Sequence, residues 1–427
     1  MKFIHAADLH LDAPLRGLVR YEGAPHERIR RAGRDAFERL IASCLEHEVD
    51  FLLLAGDLLD GSGRDFNTVL YLAGQLRRLQ DAGIEVFAVL GNHDAGHDLL
   101  TTNPFPDNVH LFSSDKAHSH LREAKGVAIH GQSHANRAEQ RNLAAGYPPA
   151  VPGLFNIGLL HTALDGRAGQ ITYAPCSEHD LLTPGYQYWA LGHIHQRELV
   201  RPRDPMILFS GTIQGRHIRE SGVKGATLVT VDGERGEVTA TRHLPLDLVR
   251  WHILTLDIGP IESFESLSHH LKERLERSIE PEVLNVVRLR LTGRSPWRGQ
   301  LALRGLELEQ ELRIHTLNTG GDSLWLERVV DETSMMEQVS REHGTGVDTD
   351  AGLDPLDLMD RVVGELLRDE VALTALFEPF RPLGGLMRTT AFHGMASLPF
   401  QDPEWMRVMV RQAQTLAAER LRHPEGG

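Results

Sequence analysis

The sequence predicts an α/β protein whose sheet carries ligand-type side chains along one edge. Three observations lead there. Short, wholly apolar runs alternate with amphipathic stretches over residues 1–94, the order strand, helix, strand, helix, strand that builds a parallel sheet. Each of those apolar runs stops at a turn carrying Asp, Asn or His, polar groups that are costly inside a sheet and useful at its carboxyl edge. A composition of 41% hydrophobic and 24% charged residues is globular throughout, without a low-complexity tract.

Lys2 to Ala7 is the first strand, running out into Asp8-Leu9-His10. Residues two apart beyond a strand point to one side, so this carboxylate and imidazole can share a cation; a surface Asp and His at a loop start is the bland alternative. His5 falls on the opposite phase and reads as structural. Pro25 to Glu48 is helical, with Ile29, Ala36, Phe37, Leu40, Ile41, Cys44 and Leu45 on one stripe and Arg28, Arg31, Arg34 and Arg39 largely off it as a solvated face. Asp50 to Ala55 is a buried strand ending at Gly56-Asp57-Leu58-Leu59-Asp60. A second helix, about Asn67 to Ala82, leads to the strand Val86 to Leu90, whose glycine turn delivers Asn92, His93 and Asp94.

Shorter strands follow at Val109 to Phe112 and Val127 to His130. Phe155 to Leu160 is a buried strand ending on His161, and Tyr188 to Leu191 another, ending on Gly192-His193-Ile194-His195. Met206 to Gly211, Ala226 to Asp232 and Glu237 to Pro245 complete a β-rich second half of the same domain, residues 1–245. Trp251 to Ile258, a helix from about Phe264 to Ser278, and Val283 to Thr292 form a small α/β domain over 246–330. The remainder, 331–427, is helical, with Leu356, Met359, Val363 and Leu366 at helical spacing, as are Trp405, Met409 and Leu416.

Formal net charge is -14, from 45 Lys plus Arg against 59 Asp plus Glu, which excludes a general nucleic-acid coat protein but not an enzyme with local basic grooves and cations. No apolar run approaches the roughly 20 residues that span a bilayer. With no signal-peptide pattern and two cysteines, Cys44 and Cys176, a cytoplasmic protein without membrane partners is expected. The 24 histidines, several paired near turns, direct attention to metal ligation.

Taken together, D-x-H at Asp8/His10, G-D-x-x-D at Asp57/Asp60, G-N-H-D at Asn92/His93/Asp94, His161, and G-H-x-H at His193/His195 resemble, in type and order, the calcineurin-like metallophosphoesterases. The resemblance covers about the first 245 residues. It implies a β-sandwich flanked by helices and two divalent cations. Such a pair can clamp an attacking hydroxide and a phosphoryl oxygen, which requires a bridging oxygen ligand. By the family pattern Asp57 bridges; Asp8, His10 and His195 complete one site, and Asn92, His161 and His193 the other. Imidazole and carboxylate without thiolate suit Mn²⁺, Fe or Zn²⁺, and the resemblance favours manganese. His93 is left to act on the leaving oxygen, with Asp94 orienting it. Some relatives carry histidine where this chain has Asp60, which is expected behind the ligands.

The segments HAADLHLDAP, SGTIQGRHIRE and KGATLV resemble the YhaO-type branch of the SbcD-like DNA repair nucleases. That implies a DNA nuclease, a capping domain contacting DNA, and a helical region that holds an SbcC-like coiled-coil ATPase; a homodimer stays open. Val283 to Gly305 holds five arginines, Trp297 and no acid, either an exposed strand face or a phosphate-contacting edge, and Arg294, Arg298 and Trp297 are the candidate DNA contacts. Two other functions compete: a small-molecule or cyclic-nucleotide phosphodiesterase using the same metals, and a non-catalytic scaffold, against which the complete ligand set argues.

Overall fold

The apolar runs form the inner strands of two facing sheets. In the computed structural model, residues 1–13, 25–60, 66–97, 100, 104–164, 173–261, 263–277, 279–280, 282–294, 298–333, 355–380 and 402–422 are described. The first sheet contains β1 (Lys2–Ala6), β2 (Phe51–Ala55), β3 (Glu85–Val89) and β4 (Val109–Leu111), parallel and in that order. On the free side of β1 the hairpin β11 (Gly225–Asp232) and β12 (Glu237–Pro245) is added antiparallel. The second sheet contains β5 (His118–Arg122), β6 (Val127–Gly131), β7 (Phe155–His161), β8 (Tyr188–Gly192), β9 (Glu198–Pro202) and β10 (Met206–Phe209), ordered β5-β6-β7-β8-β10-β9.

The two-residue period of a strand sorts the core into layers. Phe3, Phe51 and Phe87 point inward to meet Ile157, Leu159 and Tyr188 of the second sheet, with the Phe3 ring 5.1 Å from Phe51 and 5.2 Å from Tyr188. Their neighbours Ile4, Leu52 and Val86 point outward, onto the apolar stripes of α1 (His26–Glu46) and α2 (Phe66–Asp81), which supply Phe37, Leu40, Leu72 and Leu76. Each such buried side chain contributes about 1.5–3 kcal/mol. The outer face of the second sheet is covered by Tyr147, Tyr186 and the short helix α3 (Glu178–Leu182), to whose Leu181 carbonyl the buried Trp189 indole donates at 2.7 Å.

A third sheet, β13 (Val249–Asp257), β14 (Leu284–Thr292) and β15 (Leu324–Asp331), is parallel, with helices α4 (Phe264–Glu276) and α5 (Arg298–Gly320) between its strands. One face packs on those helices through Leu267, Leu271 and Leu312. The other sets Trp251, Val286 and Trp325 against Ile29 and Ala32 of α1 and against Ile218. The chain divides into two compact units, Met1–Glu337 and Gln338–Gly427. In the second, α6 (Pro355–Leu366), α7 (Glu370–Phe377) and α8 (Pro403–Arg422) share a core of Leu373, Phe377, Met406 and Val410. Among the described residues no helix is long and apolar enough to cross a membrane.

The fold is thus the mixed α/β architecture that the strand order predicts, with sheets flanked by helices and a helical C-terminal region. The basic stretch Val283 to Gly305 is split: its first part is β14, and from Arg298 the chain is helical. Two of its arginines are neutralised by acids on and just beyond the neighbouring strand, β15. Arg288 pairs bidentately with Glu327 at 2.8 and 2.7 Å, and Arg290 with Glu332 at 2.9 and 2.5 Å. Arg294 is exposed, while Trp297 and the side chain of Arg298 lie outside the described residues.

Candidate metal centre

Strand ends from both sheets converge on one point. β1 runs out to Asp8 and His10, β2 to Asp57, β3 to Asn92, β7 ends on His161, and β8 leads to His193 and His195. Asp8, His10, Asp57, Asn92 and His161 are all buried, with exposures from 0% to 4%. Two close-packed glycines allow the approach: a Cβ on Gly91 would land on the Asp57 carboxylate, and one on Gly56, where φ is +88°, on the His161 ring. Four of the seven expected ligands, Asp8, His10, Asp57 and His193, hold φ values of +52°, +42°, +53° and +101°. Left-handed backbone costs a non-glycine residue about 1–3 kcal/mol, and its concentration here is what a site holding its groups against local preference shows.

The side chains form overlapping triads, Asp8 with His10 and His195, and Asp8 with Asp57 and His161. A single oxygen, Asp57 Oδ2, stands 3.6 Å from His10 Nε2 and 3.4 Å from His161 Nε2, between imidazoles of the two expected sets. Asn92 Oδ1 lies 3.0 Å from the same His161 nitrogen. His193 presents its ring 5.2 Å from that of His161, and its backbone N–H donates to both Asp8 oxygens at 3.2 and 3.1 Å.

Outer contacts aim the nitrogens. His161 Nδ1 donates to the Ala55 carbonyl at 2.9 Å, and His195 Nδ1 to Glu220 at 2.6 Å, leaving each Nε2 with its lone pair inward. His195 Nε2 and His10 Nε2 are only 3.2 Å apart. With the lone pair of His195 Nε2 turned inward, that distance is spanned either by a hydrogen bond from His10 or by a shared cation. The electrostatics suit the cation. Burial pushes the Asp8 carboxyl up to about 6, and burial, reinforced by the charges of Asp94 and Asp8, pushes Asp57 well above the usual range. Burial likewise holds His10 and His161 far below the usual imidazole value. Divalent cations would bring the two carboxyls back down and suit imidazoles that burial already holds neutral, since they favour carboxylate and neutral imidazole. The residues present therefore fit a pair of divalent metals.

His93 is half-buried at the mouth, its ring 4.8 Å from that of His10. The carboxylate beside it is not Asp94, as the sequence suggested, but Asp60, whose Oδ1 is 2.9 Å from His93 Nδ1 and 3.4 Å from His10 Nδ1. Asp94 is wholly buried and commits both oxygens to backbone amides, of Leu58 at 3.0 Å, Leu59 at 2.9 Å and Gly91 at 3.0 Å. It ties the turn after β2 to the turn after β3. The contacts with His10 and His93 hold the Asp60 carboxyl well below its usual range, so it stays charged.

Sequence reading assigned no role to Glu220 or Arg216. Glu220 is buried, and although burial acts the other way, its bond to His195 and the charge of Arg216 hold its carboxyl well below the usual range. Both residues lie in SGTIQGRHIRE, so the signal was visible as a segment. Nothing in the order of residues shows that the loop folds back across 25 positions to His195.

A family profile for calcineurin-like phosphoesterases matches residues 1–197, and one for the middle domain of the metallophosphoesterase YhaO matches residues 251–334. The chain is 35% identical over 299 residues to an uncharacterized metallophosphoesterase YhaO of Bacillus subtilis, covering 69% of this chain and 72% of that protein. It is 29% identical over 218 residues to the DNA double-strand break repair protein Mre11 of Methanopyrus kandleri, covering 46% of this chain and 44% of that one. With the protein of the same name from Haloferax volcanii it shares 32% identity over 148 residues, 35% of this chain and 31% of that one.

Proposed function

The chain belongs to the calcineurin-like metallophosphoesterases, in their YhaO-type branch, and from that premise we propose that it is a DNA nuclease, hydrolysing phosphodiester bonds with two manganese ions. The observation that carries the hydrolytic reading is Asp57 Oδ2 standing between His10 and His161 within a buried ring of inward-facing nitrogens. When bound, such cations acidify water and neutralise phosphoryl oxygens. Asp8, His10 and His195 would hold one, Asn92, His161 and His193 the other, with Asp57 shared. His93, its Nδ1 turned to Asp60, keeps its other ring nitrogen free to pass a proton to the leaving oxygen. DNA as substrate is supported by similarity to proteins named for double-strand break repair, and exonuclease action in DNA repair in the cytoplasm belongs to the same reading.

The C-terminal helical unit exposes Leu358 and Val362 on α6, Val371 on α7 and Val408 on α8, which supports docking of an SbcC-like coiled-coil ATPase there. The deciding experiment is digestion of end-labelled single- and double-stranded DNA with Mn²⁺, beside a generic phosphodiester and cyclic nucleotides. Progressive shortening of DNA is expected. Turnover of cyclic nucleotides with intact DNA would replace the nuclease by a small-molecule phosphodiesterase.

A further inference from the structure

Several arginines in this protein grip an acid with both arms. Arg250 holds Asp247 through Nε and Nη2 at 2.8 Å each, Arg288 holds Glu327 at 2.8 and 2.7 Å, and Arg141 holds Glu139 at 2.9 and 2.7 Å. Arg216 does not. Its Nη2 makes one bond of 3.2 Å to Glu220 and approaches His195 Nδ1 at 3.3 Å, and its Nη1 stands 3.7 Å from Asp60, too far for a hydrogen bond. Its Nε is buried without a hydrogen-bond partner among the described residues. A guanidinium offers five donors, and leaving them unmade in a partly closed site is costly.

The position gives those donors a purpose. The side chain is 18% exposed, so one edge reaches solvent at the mouth. Asp60 Oδ1, 3.7 Å from its Nη1, is also 2.9 Å from His93 Nδ1, which places the guanidinium beside the group assigned to the leaving oxygen. The backbone around it is fixed: Arg216 N donates to Glu220 Oε2 at 2.7 Å while Oε1 of the same carboxylate holds His195. A planar fork at the rim of a metal centre matches two oxygens of a tetrahedral phosphate.

We propose that Arg216 is a substrate-binding residue that takes a non-bridging phosphate oxygen through its free Nη1 edge as the phosphodiester enters the metal centre. The assignment rests on the phosphodiesterase reading above. It does not require that the substrate be DNA.

The test uses the full chain loaded with Mn²⁺ and inorganic phosphate as the probe, with binding followed by calorimetry and metal content by elemental analysis. Arg216→Gln is expected to keep both metals and to weaken phosphate binding about 10- to 100-fold, the worth of one or two charge-assisted hydrogen bonds. KM for a generic phosphodiester should rise by a similar factor, with the smaller change in kcat. Arg216→Lys, which keeps the charge and loses the fork, should recover part of the binding. Unchanged phosphate affinity in Arg216→Gln would overturn the proposal. So would loss of a metal together with phosphate binding in both variants, which would make Arg216 a support for Glu220 and His195. If the unaltered protein hydrolysed no phosphodiester and still bound phosphate in an Arg216-dependent way, the binding assignment would hold and the hydrolytic reading would fall.

Discussion

Single atoms decide what the centre can do. Removing Asp57 takes away the oxygen between His10 and His161, so Asp57→Ala is expected to lose both ions, and two retained metals on elemental analysis would refute the shared role. His93 is not among the expected ligands: His93→Ala should keep its metals and lose about 10²- to 10⁴-fold in turnover. Asp60→Asn should lose turnover in the same direction but by less, since the amide still contacts the ring, whereas full activity in that variant would uncouple Asp60 from His93. His5 shows the opposite use of histidine. Its Nε2 donates to the Leu191 carbonyl at 3.2 Å and its Nδ1 meets the Tyr188 hydroxyl at 3.0 Å, and burial lowers its pKa from 6.5 to about 3. A lowered histidine pKa means that the unfolded chain takes up the proton first. Its stabilising effect is complete above pH 6.5 and is lost as pH falls from there towards 3, at up to about 1.4 kcal/mol per pH unit. Between pH 7 and pH 5, urea unfolding should therefore show His5→Phe losing about 2 kcal/mol less than the unaltered protein, despite being less stable at pH 7. Equal losses would mean that His5 is protonated while folded. The strand phase alone separated His5 from Asp8, and it identified which residues end strands. It did not show that Asp60 rather than Asp94 faces His93, because that depends on how two turns cross in space.

At the level of elements, the apolar strands were legible, and so were the edges β4 and β12 of the first sheet, but two polar edge strands were not. β5 reads His-Ser-His-Leu-Arg and β9 Glu-Leu-Val-Arg-Pro, each lying at an edge of the second sheet where few apolar residues are needed. The helix α5 was missed for a different reason. Its apolar residues lie all round it, with Leu308 and Leu312 buried while Ile314 and Leu317 are 59% and 41% exposed, so no single stripe marks it. The loop after β10 was recognisable only as a family segment, and its fastening is a matter of tertiary contacts. Buried Gln214 accepts from the Leu248 amide at 2.8 Å and donates to the Val249 carbonyl at 2.6 Å and the Gly215 carbonyl at 2.9 Å. Trp251 Nε1 donates to Gly215 as well, at 3.0 Å. This loop carries Arg216 and Glu220, so it links the start of the third sheet to His195. Gln214→Ala takes this partner from the Leu248 amide and the Val249 carbonyl, while Gly215 keeps Trp251, and should cost about 2–4 kcal/mol of stability. It should also weaken Mn²⁺ binding about 10-fold or more through Glu220. A lower melting temperature with unaltered metal affinity would show that the loop is fastened at one end only.

Across the whole molecule, a net charge of -14 opposes DNA, and local positive groups must offset it. With Arg288 and Arg290 paired to Glu327 and Glu332, the basic segment retains less free charge than its sequence suggests. Replacing Arg294 and Arg298 by Glu is nevertheless expected to weaken DNA cleavage and to flatten its salt dependence by about one to two units in log–log slope, sparing a small phosphodiester. Loss of both activities would make the segment structural. The order of strands in the first sheet carries a different consequence, for the making of the protein. One side of β1 is closed by β2, but the other waits for β11, and the Met1 amino group meets its Val231 acceptor across 230 residues of chain. At ribosomal rates of about 5–20 residues per second, that edge stands open for on the order of 10 to 50 seconds of synthesis. Through this interval the nascent chain presents Phe3 and Ile4 on a strand with one edge unpaired, a template for wrong pairing, and has not yet made the loop that buttresses His195. Yield from a cell should then depend on translation speed and chaperone supply before about residue 230, and metal uptake should follow release of the full sandwich rather than accompany its first strands.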